Sequence, residues 1–299
     1  MITDSTKLEA IFTDELLALL DKPSDKYVRF PLPKKTGGVR WISSPVPILK
    51  QAQKDFLALL EIPSVQQTTS RGTHEVITGF IPGMSILDNA RPHVGQKVVL
   101  SMDLKDFFGS VRPVDLNIRV PHLVYRRIKQ IMALCFTSKG LPQGSPASPM
   151  LANWSAVLAD MAIVSRLAVL KGRDGIDIAY TRYADDLTFS GDVIPEDFVQ
   201  GLIRDASRLF NRKAKFANNK INFMRNHKRQ MVTGIIVNEK MSIPRERRMK
   251  LRAIKHRIET KGIDSVENYS FHEIMGELSY LHLTDKQKAR DMIDMLLAL

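Results

Sequence analysis

Apolar residues recur at helical spacing over residues 6–21 (Leu8, Ile11, Phe12, Leu16, Leu19, Leu20), which predicts a helix there. Over residues 27–45 the pattern changes to alternation, broken by Thr36-Gly37-Gly38, and predicts a hairpin with a glycine turn. Residues 48–61 return to the helical period and stop before Pro63. Residues 64–97 are rich in Gly, Pro and polar side chains, so they read as loop with one short helix. KVVLSMDL at 97–104 reads as a strand, and 114–136 as helix interrupted at Pro121. After a loop at 140–149, Ser148 and Pro149 supply a cap and a first-turn proline. The long helix they start passes through Leu151, Trp154, Leu158, Met161 and Val164 to Gly172. Residues 177–190 form a second hairpin pattern, 195–212 another amphipathic helix, and short strands are expected at 215–224 and 231–237. Three helical segments, split near Gly262 and Thr284, finish the chain. The pattern predicts an α+β protein with a mixed body and a small helical tail.

At 299 residues, with 44% apolar and 25% charged residues, the composition is that of a globular chain. No apolar run approaches the ~18–20 residues of a membrane helix, and the start MITDSTKLEA lacks a signal peptide's features. Cys135 is the lone cysteine, which excludes an internal disulfide and a multi-cysteine zinc site. A soluble, cytoplasmic protein with no membrane partner is expected. Charge changes the picture more. The chain carries a net +12, and residues 211–257 hold 15 basic side chains against Glu239 and Glu246, leaving the other 252 residues at −1. A positive field confined to one stretch attracts a polyanion, most simply nucleic acid.

Three acids stand out. Asp103 ends an apolar strand, on the face of Val99 and Ser101, opposite Val98, Leu100, Met102 and Leu104. Asp185 and Asp186 are adjacent between the β-rich arms of YTRYADDLTFS. Adjacent carboxylates repel, so a site that keeps both ionised supplies positive charge, for which Mg²⁺ is the hard, oxygen-preferring candidate. An Asp from one strand and a pair from a neighbouring hairpin suit two Mg²⁺ ions in phosphoryl transfer, although a single Asp reads equally as a turn residue.

With these residues in place the chain resembles the reverse transcriptase family over most of its length. YADD at 183–186 is similar to the family's YxDD box, SMDLKDFF at 101–108 to the motif holding the first metal-binding Asp, and LPQGSPASPMLAN at 141–153 to the nucleotide-cradling motif. The resemblance implies a right-hand polymerase fold. Residues 1–97 would be mainly fingers, 98–237 a palm with an RRM-like sheet and an inserted fingers helix region, and 238–299 a basic helical thumb. It implies that Asp103, Asp185 and Asp186 bind two Mg²⁺ ions and that Phe108 is a steric gate selecting dNTPs, unless its ring is simply core. Gln143 and Gly144 would lie beside the incoming nucleotide. Lys34, Lys35 and Arg40 would hold the triphosphate, with Arg40 suited to bidentate contact and the lysines possible as solvated charges. Lys220, in FANNKINF, would sit near the same triphosphate.

Asn89-Ala90-Arg91-Pro92-His93 fits an NAxxH pattern and Val232-Thr233-Gly234 a VTG pattern, both similar to signatures of bacterial retron reverse transcriptases. Asn89, His93, Val232, Thr233 and Gly234 are expected to contact nucleic acid, with His93 also readable as a hydrogen-bonded structural histidine. Arg245, Arg247, Arg248, Lys250, Arg252 and Lys255 would form a thumb helix gripping RNA. Gly109, where many retron enzymes have proline, and Ser145 and Ala147 depart from the pattern without touching a metal ligand. A retron enzyme, by resemblance, binds its cognate structured noncoding RNA and makes branched RNA-linked single-stranded DNA (msDNA) from an RNA 2′-OH. It usually does so in anti-phage defence with an effector protein. The alternatives are a diversity-generating, CRISPR-associated or abortive-infection relative, and a non-catalytic RNA-binding protein on the same fold.

Overall fold

The structure, a computed structural model, describes residues 5–33, 37–116, 125–262 and 269–297. Lys34, Lys35 and Pro121, each given a role by the sequence, lie outside the described residues. The helical period at the start yields two helices rather than one, α1 (Ser5–Ala10) and α2 (Asp14–Asp21). The break falls at Thr13, whose hydroxyl accepts from the Leu16 amide at 3.2 Å and begins a new helix. Leu8 and Leu16 are both fully buried, so the apolar stripe survives the interruption. The first hairpin forms as expected: β1 (Tyr27–Pro33) pairs antiparallel with β2 (Val39–Pro45), and α3 (Pro47–Ala58) follows.

The segment read as loop holds a second antiparallel hairpin, β3 (Gln66–Thr69) with β4 (Gly72–Glu75), before the short α4 (Ile86–Ala90). Apolar alternation could not reveal it, because its facing pairs are Gln66 with Glu75, Gln67 with His74 and Thr68 with Thr73. It is anchored by amide chemistry instead. The buried Gln67 donates to the Ile178 carbonyl and accepts from the Tyr180 amide, both at 2.7 Å.

The central sheet is assembled from distant segments: β5 (Val98–Asp103), then β6 (Ile178–Tyr183) and β7 (Asp186–Gly191), then β8 (Asn222–Arg225). Its order is β6-β7-β5-β8, antiparallel throughout. Between β5 and β6 the chain forms α5 (Phe107–Ser110), α6 (Tyr125–Cys135) and α7 (Ser148–Asp174); α8 (Glu196–Leu209) separates β7 from β8. α7 runs through Gly172 and stops at Gly175, which takes the left-handed conformation that ends helices. The alternation of β5 sorts its side chains as expected. Leu100 and Met102 join Leu187, Phe189, Leu151 and Ile163 in the main core. Val99 faces a smaller cluster with Ala90, Met224, Val232 and Ile235.

After the two-residue strands β9 (Met231–Val232) and β10 (Ile235–Ile236), the chain ends in α9 (Arg245–Lys261), α10 (Phe271–His282) and α11 (Lys286–Leu297). These helices close on their own core of Leu251, Ile254, Ile258, Ile274, Leu278 and Met292. Among the described residues no helix is long and apolar enough to cross a membrane.

Candidate active site

The pairing of β5 with β7 sets Asp103 opposite Asp186. The β6–β7 turn adds Asp185, whose backbone carbonyl accepts from the Leu104 amide at 2.9 Å. Three acids from separate parts of the sequence therefore meet at one end of the sheet. The surroundings of Asp186 shed enough water, although its side chain reaches the surface, to push its pKa up to about 6, and the Asp185 and Asp103 carboxylates add to the rise. Asp185 is also raised, by burial first and then by Asp103. Lys220 answers this charge in part: its Nζ lies 2.7 Å from Asp103 Oδ2, and that contact raises the lysine's own pKa. Arg40, exposed on β2, also draws down the Asp185 pKa, so the first hairpin reaches toward the acids. Three carboxylates facing these cations remain short of positive charge.

Among the described residues no cluster of three or more acidic, histidine or cysteine side chains is closed tightly enough to hold a metal ion. The site is instead closed on one side by Lys220. The donors still fit a hard divalent cation: they are all carboxylate oxygens, and the raised proton affinity of Asp185 and Asp186 marks a place where a cation is favoured.

Beneath the acidic turn lies a set of residues to none of which sequence reasoning gave an individual role. Arg182 and Asp160 are both fully buried and form a two-point ion pair, Arg182 Nη2 to Asp160 Oδ2 at 2.7 Å and Nε to Oδ1 at 2.9 Å. Arg182 Nη1 also donates to Asn153 Oδ1 at 3.0 Å and to the Ala184 carbonyl at 3.1 Å, inside the turn itself. The Tyr180 hydroxyl completes Asp160 at 2.7 Å, and Asn153 Nδ2 donates to the Gly79 carbonyl at 2.8 Å. A Cβ on Gly79 would stand 2.5 Å from the Ala184 amide nitrogen, so only glycine fits against the turn. Ala184 itself has φ 58, a strained value for a residue with a side chain, and this scaffold holds it there. The available signal was a charged residue inside the apolar strand pattern, since a buried arginine requires a partner.

The nucleotide-side residues divide similarly. Gln143 gives its backbone carbonyl to the Ser43 amide at 2.7 Å, docking the first hairpin. Gly144 has φ 114, and a Cβ there would meet Ile42 at 2.7 Å, so a glycine is required by that docking. Phe108 is half-buried, with Phe107 at 5.9 Å and Phe80 at 6.1 Å between ring centroids. Phe80 was missed by the sequence reading. It is 42% exposed, has φ 61, and lies 6.3 Å from the Tyr183 ring. A bulky residue at positive φ with its ring partly in water is costly, and its packing on the Phe108 and Tyr183 rings helps to hold it there.

The NAxxH and VTG segments require a correction. Asn89 and His93 are fully buried and cannot themselves touch nucleic acid in this structure, and Val232 is core. His93 is held by two hydroxyls, Nδ1 to Ser190 Oγ at 2.6 Å and Nε2 to Thr181 Oγ1 at 2.8 Å. Burial lowers its pKa to about 3, keeping the imidazole neutral. Asn89 accepts from the Thr78 hydroxyl at 2.8 Å and donates to Thr233 Oγ1 at 3.3 Å, so the two sequence patterns meet. Beyond Thr233, the Gly234 carbonyl accepts from the Tyr280 hydroxyl of α10 at 2.8 Å. A Cβ on Gly234 would stand 2.5 Å from that hydroxyl. These residues form a joint between the sheet and the terminal helices.

The basic face of α9 is also divided. Arg247 pairs with Glu277 at 3.2 Å and lies 4.3 Å over the Tyr280 ring. Lys250 lies 3.8 Å from Glu277 and 4.8 Å over the Tyr269 ring. Lys255 pairs with Glu259 at 3.5 Å. Arg245, Arg248 and Arg252 are exposed and, among the described residues, have no ion-pair partner.

The profile of the family described as reverse transcriptase (RNA-dependent DNA polymerase) matches residues 32–257. The chain is 37% identical over 287 residues to the retron Mx65 reverse transcriptase of Myxococcus xanthus, covering 88% of this chain and 62% of that protein. It is 31% identical to the retron Mx162 reverse transcriptase of the same organism, covering 88% of this chain and 59% of that protein. It thus spans about three fifths of the length of these two relatives. Among solved structures it is similar to a foamy viral protease-reverse transcriptase in complex with double-stranded DNA, at 17% identity and TM-score 0.43, covering 88% of this chain and 38% of that chain. The matched profile spans the acid-bearing sheet, its supporting helix α7 and most of α9, so the chain belongs to the reverse transcriptase (RNA-dependent DNA polymerase) family, with the right-hand polymerase fold, and is of the bacterial retron type.

Proposed function

We propose that the chain is an RNA-directed DNA polymerase that binds a structured noncoding RNA and extends DNA from a 2′-OH of that RNA, giving msDNA. The observation that carries the proposal is the cross-strand meeting of Asp103 and Asp186, with Asp185 in the adjoining turn and Lys220 beside them. Residues 1–97, 98–237 and 238–299 serve as fingers, palm and thumb in this reading. Asp103, Asp185 and Asp186 would hold divalent ions, Mg²⁺ by donor type and two by analogy with phosphoryl-transfer sites. Such ions, when bound, supply Lewis-acid stabilisation of charge developing on the phosphoryl oxygens.

The protein's own groups would do the rest. Arg40 and Lys220, with Lys34 and Lys35 in the same role, bring positive charge to an incoming triphosphate. Lys220 leaves Asp103 as substrate arrives and takes up charge on the departing pyrophosphate. Gln143 and Gly144 fix the floor on which the nucleotide lies, and Phe108 excludes a ribose 2′-OH sterically. Thr233 and Gly234 align the sheet with the thumb. The exposed cations of α9 hold RNA phosphates, a sequence-independent and salt-sensitive grip. The reading extends to a role in anti-phage defence with an effector protein, as the resemblance to retron enzymes implies.

The test is to purify the protein with the RNA from its genomic neighbourhood and sequence the nucleic acid that accompanies it. A short DNA joined to a defined RNA by a 2′,5′ branch supports the proposal. DNA synthesis on RNA templates without any branch refutes the retron priming step while keeping the polymerase. No extension of any primed RNA template refutes the polymerase.

A further inference from the structure

The thumb contains a cleft of about 410 Å³ that the preceding reading does not use. One wall is α9, with Arg248, Leu251, Arg252 and Lys255; the other is the α10–α11 corner, with Leu281, Thr284 and Met292; Met241 and Ile243 line it from the segment before α9. Its interior is mainly apolar: Ile243, Leu251, Leu281 and Met292 are buried members of the thumb core that also face this space. Its rim is mainly cationic. Arg248 and Arg252 are exposed and lack ion-pair partners among the described residues, whereas Arg247 and Lys250 are spent on Glu277 and on the rings of Tyr280 and Tyr269. Of the acids at the opening, Asp285 is held by Lys288.

An apolar slot under unpaired guanidinium groups matches a flat base with a phosphate attached. We propose that this cleft captures an unpaired nucleotide of the bound RNA, its base against Leu251, Leu281 and Met292 and its phosphate on Arg248 and Arg252. The inference rests on the chain binding RNA and adds a specific site that prefers a looped-out nucleotide to a paired one. A paired base cannot leave its stack without a penalty, so the cleft discriminates by strand state; its apolar lining has few groups to read base identity. An acidic protein segment is the competing occupant. It would meet the same guanidinium groups, but its carboxylates bring no flat ring to the apolar slot.

The experiment measures fluorescence anisotropy of the full chain with two labelled probes, a single-stranded RNA dodecamer and a blunt RNA duplex of the same length. Thr284→Trp fills the cleft from the half-buried α10–α11 corner. The Arg248→Gln, Arg252→Gln double variant changes only exposed side chains and keeps the fold testable. The cleft predicts that each variant loses about tenfold in affinity for the single strand. It further predicts that Thr284→Trp leaves duplex binding unchanged. Equal losses on both probes with Thr284→Trp, or unchanged single-strand binding in either variant, overturn the cleft as a nucleotide site while leaving RNA binding in place. Wild-type protein that binds neither probe overturns the RNA-binding reading itself. Competition of the single strand by a polyglutamate peptide, with no competition by a duplex, overturns the nucleotide in favour of a protein segment.

Discussion

The two ends of the β6–β7 turn carry charge in opposite ways. Below it, Arg182 and Asp160 are sealed from water with their hydrogen-bonding capacity largely used by one another, by Asn153, by Tyr180 and by the Ala184 carbonyl. Above it, Asp103, Asp185 and Asp186 crowd together with Lys220 as the close cation. The lower cluster is electrostatically complete and fixes geometry. The upper cluster is incomplete, and on the proposed reading its unbalanced negative charge is what would attract a cation. One residue separates them: Ala184 is gripped from below while its neighbour presents a carboxylate above.

Breaking the upper cluster has the largest effect. Asp185→Asn should reduce primer extension by about 10³-fold or more, the scale of several kcal/mol of lost charge stabilisation, with RNA affinity kept. Breaking the lower cluster comes next. Asp160→Ala strands a buried guanidinium and should cost about 3–5 kcal/mol in urea melts. The Arg182→Met, Asp160→Leu pair should regain most of that stability, because an apolar replacement removes both charges together. Extension by the pair should remain depressed, since nothing then holds the Ala184 carbonyl; full recovery of both stability and activity would show that the network only packs the core. Phe108→Ala should weaken exclusion of rNTPs by roughly 10- to 100-fold in competition assays, with dNTP incorporation kept. Unchanged selectivity would place the ring with Phe107 in the core.

The smallest effect at neutral pH lies with His93. Its folded pKa of about 3 is below that of an unfolded histidine, so below pH ~6.5 the unfolded chain binds the extra proton and stability falls. The contribution is intact at pH 7.5 and lost progressively on acidification toward pH 3. His93→Gln should flatten this part of the pH profile in thermal melts while lowering stability at neutral pH.

The sequence was most legible where function needs particular chemistry. The three acids and the first hairpin could be placed from residue type and pattern, Lys220 and Arg40 were singled out by the family resemblance, and the fold brings them to one region. Legibility failed where polar side chains hold structure. The β3–β4 hairpin was invisible because Gln67, rather than an apolar stripe, anchors it. Asn89 and His93 resembled a binding motif because a buried polar network and a ligand site use the same residue types. Arg182 was overlooked because its partners, Asp160 and Asn153, lie on α7, outside the local pattern. The basic run was read as one face, whereas Glu277 and Tyr280 engage Arg247 and Lys250.

The most direct test is a thermal melt of wild type and Asp185→Asn, each with and without Mg²⁺ at pH 7.5. If the upper cluster is charge awaiting a cation, wild type gains stability on adding Mg²⁺ because the ion binds the folded state. Asp185→Asn should melt at or above the metal-free wild type and respond little to Mg²⁺. A variant that melts well below wild type without metal, or that gains as much from Mg²⁺, would contradict the account.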